Sequence, residues 1–428
     1  MEGRLEHVLK QRNAKDQDAS HDDATPSSVL MSTMGEVTRS EIDLQTEISL
    51  LSSRGLVFPS PTQAPPSCGA QHALGPFTLP GFQELPTKSV ALELVNETFR
   101  SFNSFFPLFD EDEFLQEFHS RYLDSAPSKP GWWASINVVL SLAHRFRAMR
   151  TLEPAYETAQ SCRYIHNALA VVSQLNLLHN SLAAVQALVG MTVVIQGTPH
   201  SHAASVLIAA AVRLAQSMGL HRQINDPSLT EAQMEQRKRV FWVTYFLDKD
   251  VSLRMGVPFA QDDDEMDAEL PTGIVSRLPL CGDSLRTINF FNSRIGLAVI
   301  QGQIYKRLYS VQATKQSAAQ KAVIAQELNS ILSYWRNGVP IDFEDYPVTT
   351  LQPPLPAEFI HMLILRFTYV NCLAMIDRHL PPTGQLQADV MPEMQGCVTS
   401  AESLCVIESR KAVRLIPIAP QGDYACIW

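Results

Sequence analysis

The sequence predicts an all-α protein, an antiparallel helical bundle preceded by a disordered N-terminal segment. From residue 91 onward, apolar residues recur at helical spacing, and β-branched residues rarely alternate with polar ones. Capping residues and Gly or Pro stop signals stand where the apolar pattern begins and ends. A hydrophobic share of 45% against a charged share of 18% gives the chain enough apolar side chains for a large core.

The chain divides into three parts by composition. Residues 1–12 are predicted as one or two turns of helix, because their apolar residues fall on one side, and this single heptad is too short to hold a coiled coil by itself. Residues 13–90 are polar and then rich in proline, so they are predicted as a disordered Pro/Ser-rich linker. Residues 91–428 carry the helical pattern and are predicted as one all-helical domain.

A helical hairpin is predicted in the first half of this domain. One helix follows the Asn-Ser cap at residues 180–181 and stops at the Gly-Thr-Pro sequence of residues 197–199. A second helix runs from about 202 to 218, and Gly219 stands where a left-handed C′ glycine ends a helix. Because the connection is short, the two helices are predicted to be antiparallel neighbours.

Two overlapping capping boxes mark the start of a third helix. They are Ser228 with Glu231 and Thr230 with Gln233, in which side chains satisfy the first backbone donors of a helix. Further helices are predicted near residues 290–310, 317–336 and 356–380, separated by proline-rich breaks at 340–356 and 380–392.

The third helix contains a dense basic cluster, called the basic trio here: Arg237, Lys238 and Arg239. It raises the question of whether this helix binds nucleic acid. The chain as a whole has 34 basic and 44 acidic residues, a formal charge of −10, whereas proteins that grip DNA alone concentrate positive charge. Three consecutive residues also span about 200° of a helix and cannot all enter one groove. The aromatic residues that follow are spaced for a core, so Phe241 and Trp242 are predicted to be buried.

Cysteine usage and hydropathy exclude several other classes. Seven dispersed cysteines without a C-x-x-C pair argue against a disulfide framework and a zinc knuckle, so no cofactor is expected in this chain and a reducing compartment is expected around it. The apolar runs 181–196 and 203–215 are interrupted by Gln186 and Arg213, and both fall short of the roughly 18 residues of a membrane span. No membrane partner is predicted.

One acidic string is a candidate catalytic site. Asp263, Asp264 and Asp267 spell D-D-x-x-D, which in an all-helical protein is typical of isoprenoid synthases that bind Mg²⁺ and a diphosphate. A Mg-dependent prenyl-diphosphate enzyme is therefore the alternative function. Proline-containing sequences on both sides instead favour a solvated acidic loop that faces basic side chains, with residues 262–264 near an arginine of the basic trio.

Several sequence pieces occur here in a characteristic order. They are SHAASVLIAAAVRLAQSMGLHR, an E-x-R-x-R-V-F-W-x-x-Y-x-L-D run, S-x-R-x-G-V-P, and an acidic piece that ends in Leu-Pro. Together they resemble the fungal-specific transcription factor domain, the middle homology region of fungal zinc-cluster regulators, over roughly residues 91–405. The motif residues, expected to be structural, are Arg213, Gly219, Leu220, His221, Arg222, Arg237, Arg239, Phe241, Trp242, Tyr245, Asp248, Gly256, Pro258, Asp262 and Asp264.

The resemblance implies a non-enzymatic, nuclear regulator of transcription with an all-α regulatory domain. Relatives carry zinc in an N-terminal six-cysteine cluster that reads DNA, and no residues of this chain match that cluster. Residues 1–12 resemble the short linker and dimerisation helix that follows the cluster in relatives. DNA contact is therefore expected only through a missing module or a partner protein. The other expected partners are a homo- or heterodimer with zinc-cluster regulators and a small-molecule effector. Arg213 and Arg222 are expected to meet the acidic loop rather than the effector.

Overall fold

A computed structural model describes most of the chain beyond residue 80. The described residues are 81–122, 129–151, 154–178, 180–198, 201–223, 226–272, 276–279, 285–339, 357–380, 405, 408 and 409. The chain divides into two compact units, Met1–Gly75 and Pro76–Trp428, and every described residue belongs to the second. The predicted helix at 1–12, the predicted linker up to residue 80 and the two proline-rich breaks lie almost entirely outside the described residues.

Helices make up nearly all of the described structure, which confirms the all-α class. The α-helices are α1 (Lys88–Thr98), α2 (Glu111–Arg121), α3 (Pro130–Arg150), α4 (Ala155–Leu169), α5 (Val172–Leu178), α6 (Leu182–Ile195), α7 (Ser201–Ser217), α8 (Glu231–Met255), α9 (Phe290–Ile304), α10 (Ala318–Asn337) and α11 (Ala357–Asp377). The π-helical turns Phe99–Asn103 and Tyr305–Tyr309 follow α1 and α9, and short 3₁₀ turns lie at Asp263–Glu265 and Ala313–Lys315. Strands β1 (Ser276–Pro279) and β2 (Leu285–Ile288) form a small antiparallel hairpin in which Ser276 lies opposite Ile288.

The helix ends follow the predicted signals with one exception. Ser181 caps α6 by accepting a hydrogen bond from the amide of Ala184, and Gly219 after α7 has a left-handed φ of 70°. The Thr230–Gln233 capping box forms at the start of α8. The Ser228 box does not form, because the helix begins at Glu231 with Thr230 as its N-cap, and Ser228 lies in the preceding turn, where its hydroxyl donates to Asp226.

Helix α8 lies at the centre of the bundle. It packs against α6, α7 and α9, and its residues from Val240 to Leu253 are buried without a gap. Its first two turns stay in contact with solvent, so the helix passes from an exposed end into the core. It ends at Gly256, whose φ of 67° lies in the left-handed region that glycine adopts without strain.

Helix α1 begins at Lys88, three residues before the predicted start of the domain at residue 91. At the other end of the described structure, α11 packs against α9, α10 and the π-helical turn after α1. By length and composition α11 is the one described helix that could cross a membrane, but 72% of its apolar window is buried inside the structure. Its apolar surface is therefore core surface of the bundle.

Candidate functional site

Three consecutive charged residues, Asp248, Lys249 and Asp250, lie buried in the middle of α8. Their exposed fractions are 1%, 1% and 7%. Buried charges are costly unless they are paired and hydrogen-bonded. Because consecutive residues of an α-helix point about 100° apart, each of the three contacts a different part of the structure.

Asp248 fixes the chain that leaves α8. Its carboxylate oxygens accept hydrogen bonds from the backbone amides of Ala260 at 3.1 Å and Gln261 at 3.0 Å, and the Ser252 hydroxyl donates to it at 3.3 Å. Burial raises the pKa of the Asp248 carboxyl and outweighs the opposing effect of these donors. The loop of residues 257–272, the acidic loop, is thus attached to the helix at its start.

Lys249 holds the next part of the acidic loop. Its Nζ lies 2.9 Å from Asp263 Oδ1 and donates to the carbonyl of Gln261 at 2.7 Å. The ammonium also sits 4.1 Å from the ring centroid of Phe259 and 5.0 Å from that of Tyr245. Cation–π contacts and a carboxylate together compensate the buried charge.

The acidic loop then runs back along α8, antiparallel to it. The indole Nε1 of Trp242 donates to the carbonyl of Glu269 at 2.8 Å, seven residues before Lys249 on the helix. Farther along, the amide of Thr272 donates to the carboxylate of Glu235 at 2.6 Å. The start of the loop therefore lies beside the second half of α8, and its end lies beside the first half.

This course explains why one predicted contact is wrong. Residues 262–264 were expected near an arginine of the basic trio, but Asp263 pairs with Lys249 and Asp264 pairs with Lys306 at 2.7 Å. Because the loop is antiparallel to α8, the basic trio meets the end of the loop instead. Lys238 pairs there with Glu269 at 2.6 Å.

The aspartates of the D-D-x-x-D string do not form a metal site. Asp263 and Asp264 pair with two different lysines, and Asp267 Oδ1 accepts a hydrogen bond from the amide of Gln223 at 2.8 Å. Across the described ranges, no group of three His, Cys, Asp or Glu side chains is placed to hold a metal ion. The Mg²⁺ interpretation of this string is not supported.

The motif residues form one packed unit of α8, the acidic loop and the turn after α7. Phe241, Trp242 and Tyr245 are buried, which confirms the prediction for the first two. The carbonyl of His221, in the turn after α7, accepts hydrogen bonds from the amides of Asp267 and Ala268. Gly256 ends α8, Pro258 lies in the acidic loop, and Asp262 caps its 3₁₀ turn.

Arg213 and Arg222 lie on the surface near this unit. The Arg213 guanidinium donates to the side chain of Gln216 at 3.0 Å, and that of Arg222 donates to His221 Nε2 at 3.2 Å. Leu220 between them is buried. The contacts of both arginines are thus with their own segment of the chain, and the prediction that they meet the acidic loop is wrong, because nearby side chains of that segment hold them.

Asp250, on another side of α8, lines a cavity between the helices. The cavity has a volume of about 200 Å³. It is lined by Phe102, Phe106, Arg145, Phe146, Met149, Val193, Gln196, Val243, Phe246, Leu247, Asp250, Arg254, Arg294, His361, Ile364, Phe367, Thr368, Val370, Asn371 and Ala374. The walls are therefore mostly apolar and rich in phenylalanine, with one cluster of charged side chains.

Asp250 is the centre of that charged cluster. Its Oδ2 lies 3.2 Å from Arg254 Nη2 and 3.3 Å from Arg294 Nη2, and Gln301 donates to Oδ1 at 2.9 Å. Burial alone would raise the pKa of the Asp250 carboxyl, but Arg254 and Arg294 overcome that effect and hold the pKa below its usual value. Asp250 is consequently a carboxylate at neutral pH.

His361 of α11 lies in the cavity wall as a neutral imidazole. Its Nε2 donates to the carbonyl of Ser101 at 2.7 Å, and its ring stacks on Phe105 with 4.4 Å between centroids. Burial lowers the pKa of His361 to about 4, although the bond to Ser101 acts in the opposite direction. With the proton on Nε2, the lone pair of Nδ1 is a hydrogen-bond acceptor.

We expect His361 to make the fold sensitive to mild acid. Its folded pKa of about 4 lies below the ordinary 6.5, so the unfolded chain binds the proton more readily between these values. The stability that depends on neutral His361 is complete above pH 6.5 and is lost as the pH falls toward 4, by about 3 kcal/mol. Urea unfolding at a series of pH values measures this loss.

The matched control is His361→Gln, which keeps a side-chain donor for Ser101 and does not titrate in this range. His144, whose pKa burial also lowers, is present in both proteins and cancels in the comparison. Equal pH dependence of the two proteins between pH 6.5 and 4 would contradict the assignment of a buried, neutral His361.

The sequence profile of the fungal specific transcription factor domain matches residues 95–337. This range is more than half of the chain and includes α8, the acidic loop and the Asp250 cluster. The chain belongs to the fungal specific transcription factor domain family. The motif unit and the greater part of the cavity wall are thus features of the family domain in this chain, whereas α11 with His361 follows the matched range.

Curated relatives of this family member are transcription factors by name. An ABC-transporter-regulating transcription factor of Aspergillus oryzae is 38% identical over 361 residues, which are 81% of this chain and 40% of the relative. The Fusaridione A cluster transcription factor fsdR of Fusarium heterosporum is 31% identical, covering 80% of this chain and 65% of the relative. The chain spans 40% of the Aspergillus relative's length. No solved structure matches the chain.

Sequence reasoning about this family domain missed the cavity and its charged cluster. Asp250, Arg294 and His361 come from three helices that are far apart in the chain. One signal was present: Asp248, Lys249 and Asp250 stand in a helix otherwise predicted to be core. Three adjacent charges there indicate buried ion pairs, although their partners cannot be read from the pattern.

Proposed function

We propose that this fungal transcription factor domain regulates transcription in the nucleus. Its match to the family profile over residues 95–337 is the observation that carries the proposal. The names of curated relatives, among them transcription factors and a transcriptional regulatory protein, support it. In this proposal the helical body is a control module and not the surface that reads DNA.

DNA contact is proposed to come from a module outside this chain or from a partner protein. The basic trio supports this division, because Lys238 pairs with Glu269 and Arg239 lies 3.8 Å from Glu235. Neutralised cations contribute little to binding phosphates. Homo- or heterodimers with zinc-cluster regulators would bring such a module to the domain.

The described residues do not fit the zinc cluster of the relatives. Cys162 is half-buried on α4, Cys372 is buried in α11, and Cys405 is buried near the end of the described chain. Within the part of the chain that the structure describes, no three potential ligands converge. Zinc is therefore proposed to belong to the DNA-reading module of the complex.

The domain is proposed to act by binding and not by catalysis. The aspartates that would hold Mg²⁺ in a prenyl-diphosphate enzyme are attached to lysines and a backbone amide of the same chain. The proposed input is a small-molecule effector. The cavity beside Asp250, enclosed by helices and lined by apolar side chains with a few polar groups, has the character of a ligand site.

A tethered reporter tests the proposed function. The chain is fused to an unrelated DNA-binding domain and expressed in a fungal host that carries a reporter gene with the matching site. We expect reporter transcription to differ from that given by the DNA-binding domain alone at equal protein level. The fusion carrying Trp242→Ala is the control, because loss of the core should abolish the difference. Equal transcription from the intact fusion and from the DNA-binding domain alone would contradict the proposal.

A further inference from the structure

The apolar part of the cavity fits a single ring. Phenylalanine side chains from four helical segments and from the bend after the first π-helical turn line it: Phe102, Phe106, Phe146, Phe246 and Phe367. Its volume of about 200 Å³ exceeds the roughly 150 Å³ of an apolar cavity that holds benzene. A compact aromatic or alicyclic group therefore fits the space.

The charged part of the cavity wall carries excess positive charge. Arg145, Arg254 and Arg294 line the cavity together with a single carboxylate, Asp250. His361 adds no charge at neutral pH because its pKa is lowered to about 4 by burial. Among the residues of the described cavity wall, the sum is therefore +3 − 1 = +2.

Neutral groups accept hydrogen bonds from two of these arginines. Arg145 Nη1 donates to the carbonyl of Val194 at 2.9 Å, and Arg254 Nη2 donates to the side chain of Gln196 at 2.7 Å. Arg145 and Arg294 are more than nine-tenths buried. Such cations gain strongly from an anion that replaces the lost water, because the interior screens charge poorly.

Two buried polar atoms of the wall have hydrogen-bonding capacity left over. Arg294 Nη1 and His361 Nδ1 are buried and have no hydrogen-bond partner in the described structure. The first is a charged donor, and the second is an acceptor when Nε2 holds the proton for Ser101. Buried polar groups are nearly always satisfied in native proteins, so the open donor of Arg294 at the cavity indicates a missing acceptor.

We infer that this cavity binds a compact apolar carboxylate, with its ring among the phenylalanines and its carboxylate at the arginine cluster. This inference rests on the proposed function, since it names the chemical class of the effector. The carboxylate neutralises part of the excess charge and accepts a charge-assisted hydrogen bond from Arg294. A neutral or cationic molecule of the same shape fills the space without this gain.

Three matched probes test the inference on the purified full chain: benzoate, benzamide and benzylamine. They share one ring and differ in charge. We expect a saturable rise of the melting temperature with benzoate and an affinity for benzamide about tenfold lower, since one charge-assisted hydrogen bond is lost. Benzylamine should give no rise. Isothermal titration calorimetry gives the dissociation constants independently of thermal unfolding.

Two variants locate the site. Ala374→Leu adds volume to the cavity wall without touching the arginines and should abolish the benzoate shift. Its matched control is Ala319→Leu, the same change at an exposed position of α10, which should leave the shift intact. Arg254→Met, at the least buried of the three arginines, should reduce the preference for benzoate over benzamide.

The outcomes separate this inference from the proposed function. No stabilisation by benzoate, equal stabilisation by all three probes, or a benzoate shift that survives Ala374→Leu would each overturn the carboxylate site. The tethered reporter can still respond in that case, and the proposed function would then stand without this effector. If benzoate binds but reporter transcription does not change, the carboxylate site stands and the proposed function is contradicted.

Discussion

Replacing Trp242 by alanine is expected to remove a large part of the domain's stability. The side chain is 4% exposed, packs edge-on against Phe241 and Tyr245, and donates from Nε1 to the carbonyl of Glu269. Truncating a buried large aromatic residue costs roughly 3–5 kcal/mol. The stability of a typical domain is only about 5–15 kcal/mol, so the loss is a large part of the whole. Urea unfolding followed by circular dichroism measures it.

Two further variants separate the loss of the core ring from the loss of the indole hydrogen bond and from the effect of removing an exposed aromatic residue. Trp242→Phe keeps a ring in the core but removes the indole donor that fixes the end of the acidic loop, so we expect a smaller loss of about 1 kcal/mol from the hydrogen bond itself. Tyr156→Ala, at an aromatic residue that is 66% exposed, should leave the unfolding midpoint unchanged. An unfolding midpoint of Trp242→Ala equal to that of the wild type would show that α8 is not the core of the domain.

Replacing Asp250 by alanine is expected to lower the free energy of unfolding by about as much, for an electrostatic reason. The change leaves Arg254 and Arg294 beside the cavity without their shared carboxylate. Removing one partner of a buried ion pair costs about 3–5 kcal/mol, because an uncompensated charge stays in the interior. The free energy of unfolding from urea titration at neutral pH is the measurement.

A surface ion pair supplies the matched control for Asp250→Ala. Asp264 and Lys306 are 50% and 60% exposed and lie 2.7 Å apart, so Asp264→Ala should change the stability by less than about 1 kcal/mol. The double variant Asp250→Ala with Arg294→Met removes one stranded charge and should recover part of the loss. Similar losses for the buried and the exposed aspartate would show that the Asp250 cluster is hydrated.

Local patterns predicted the helices well because helix ends depend on neighbouring residues. The Ser181 cap, the Thr230–Gln233 box and the left-handed Gly219 all lie where the sequence placed them. The burial of Trp242 was also predictable, since an aromatic run at helical spacing needs a core. The Ser228 box failed because the helix starts two residues later, at the Thr230 cap.

Contacts between distant segments were not predictable from these patterns. The direction in which the acidic loop runs along α8 decides whether its aspartates lie near the arginines at the start of the helix or near Lys249. The spacing of residues within the loop does not predict that direction. The partners of Lys249 could likewise not be predicted from the pattern of charges in the sequence. The structure shows it buried between Asp263 and two aromatic rings.

The sequence by itself determined the all-α class, the main helices, the buried face of α8 and the resemblance to the fungal-specific transcription factor domain. These depend on periodicity and on residues close together in the chain. Only the tertiary structure decided which charges pair, and that Asp250, Arg294 and His361 share one cavity. The physical reason is that the energy of a buried charge depends on its neighbours in space, and Asp250, Arg294 and His361 are more than 40 residues apart from one another in the chain.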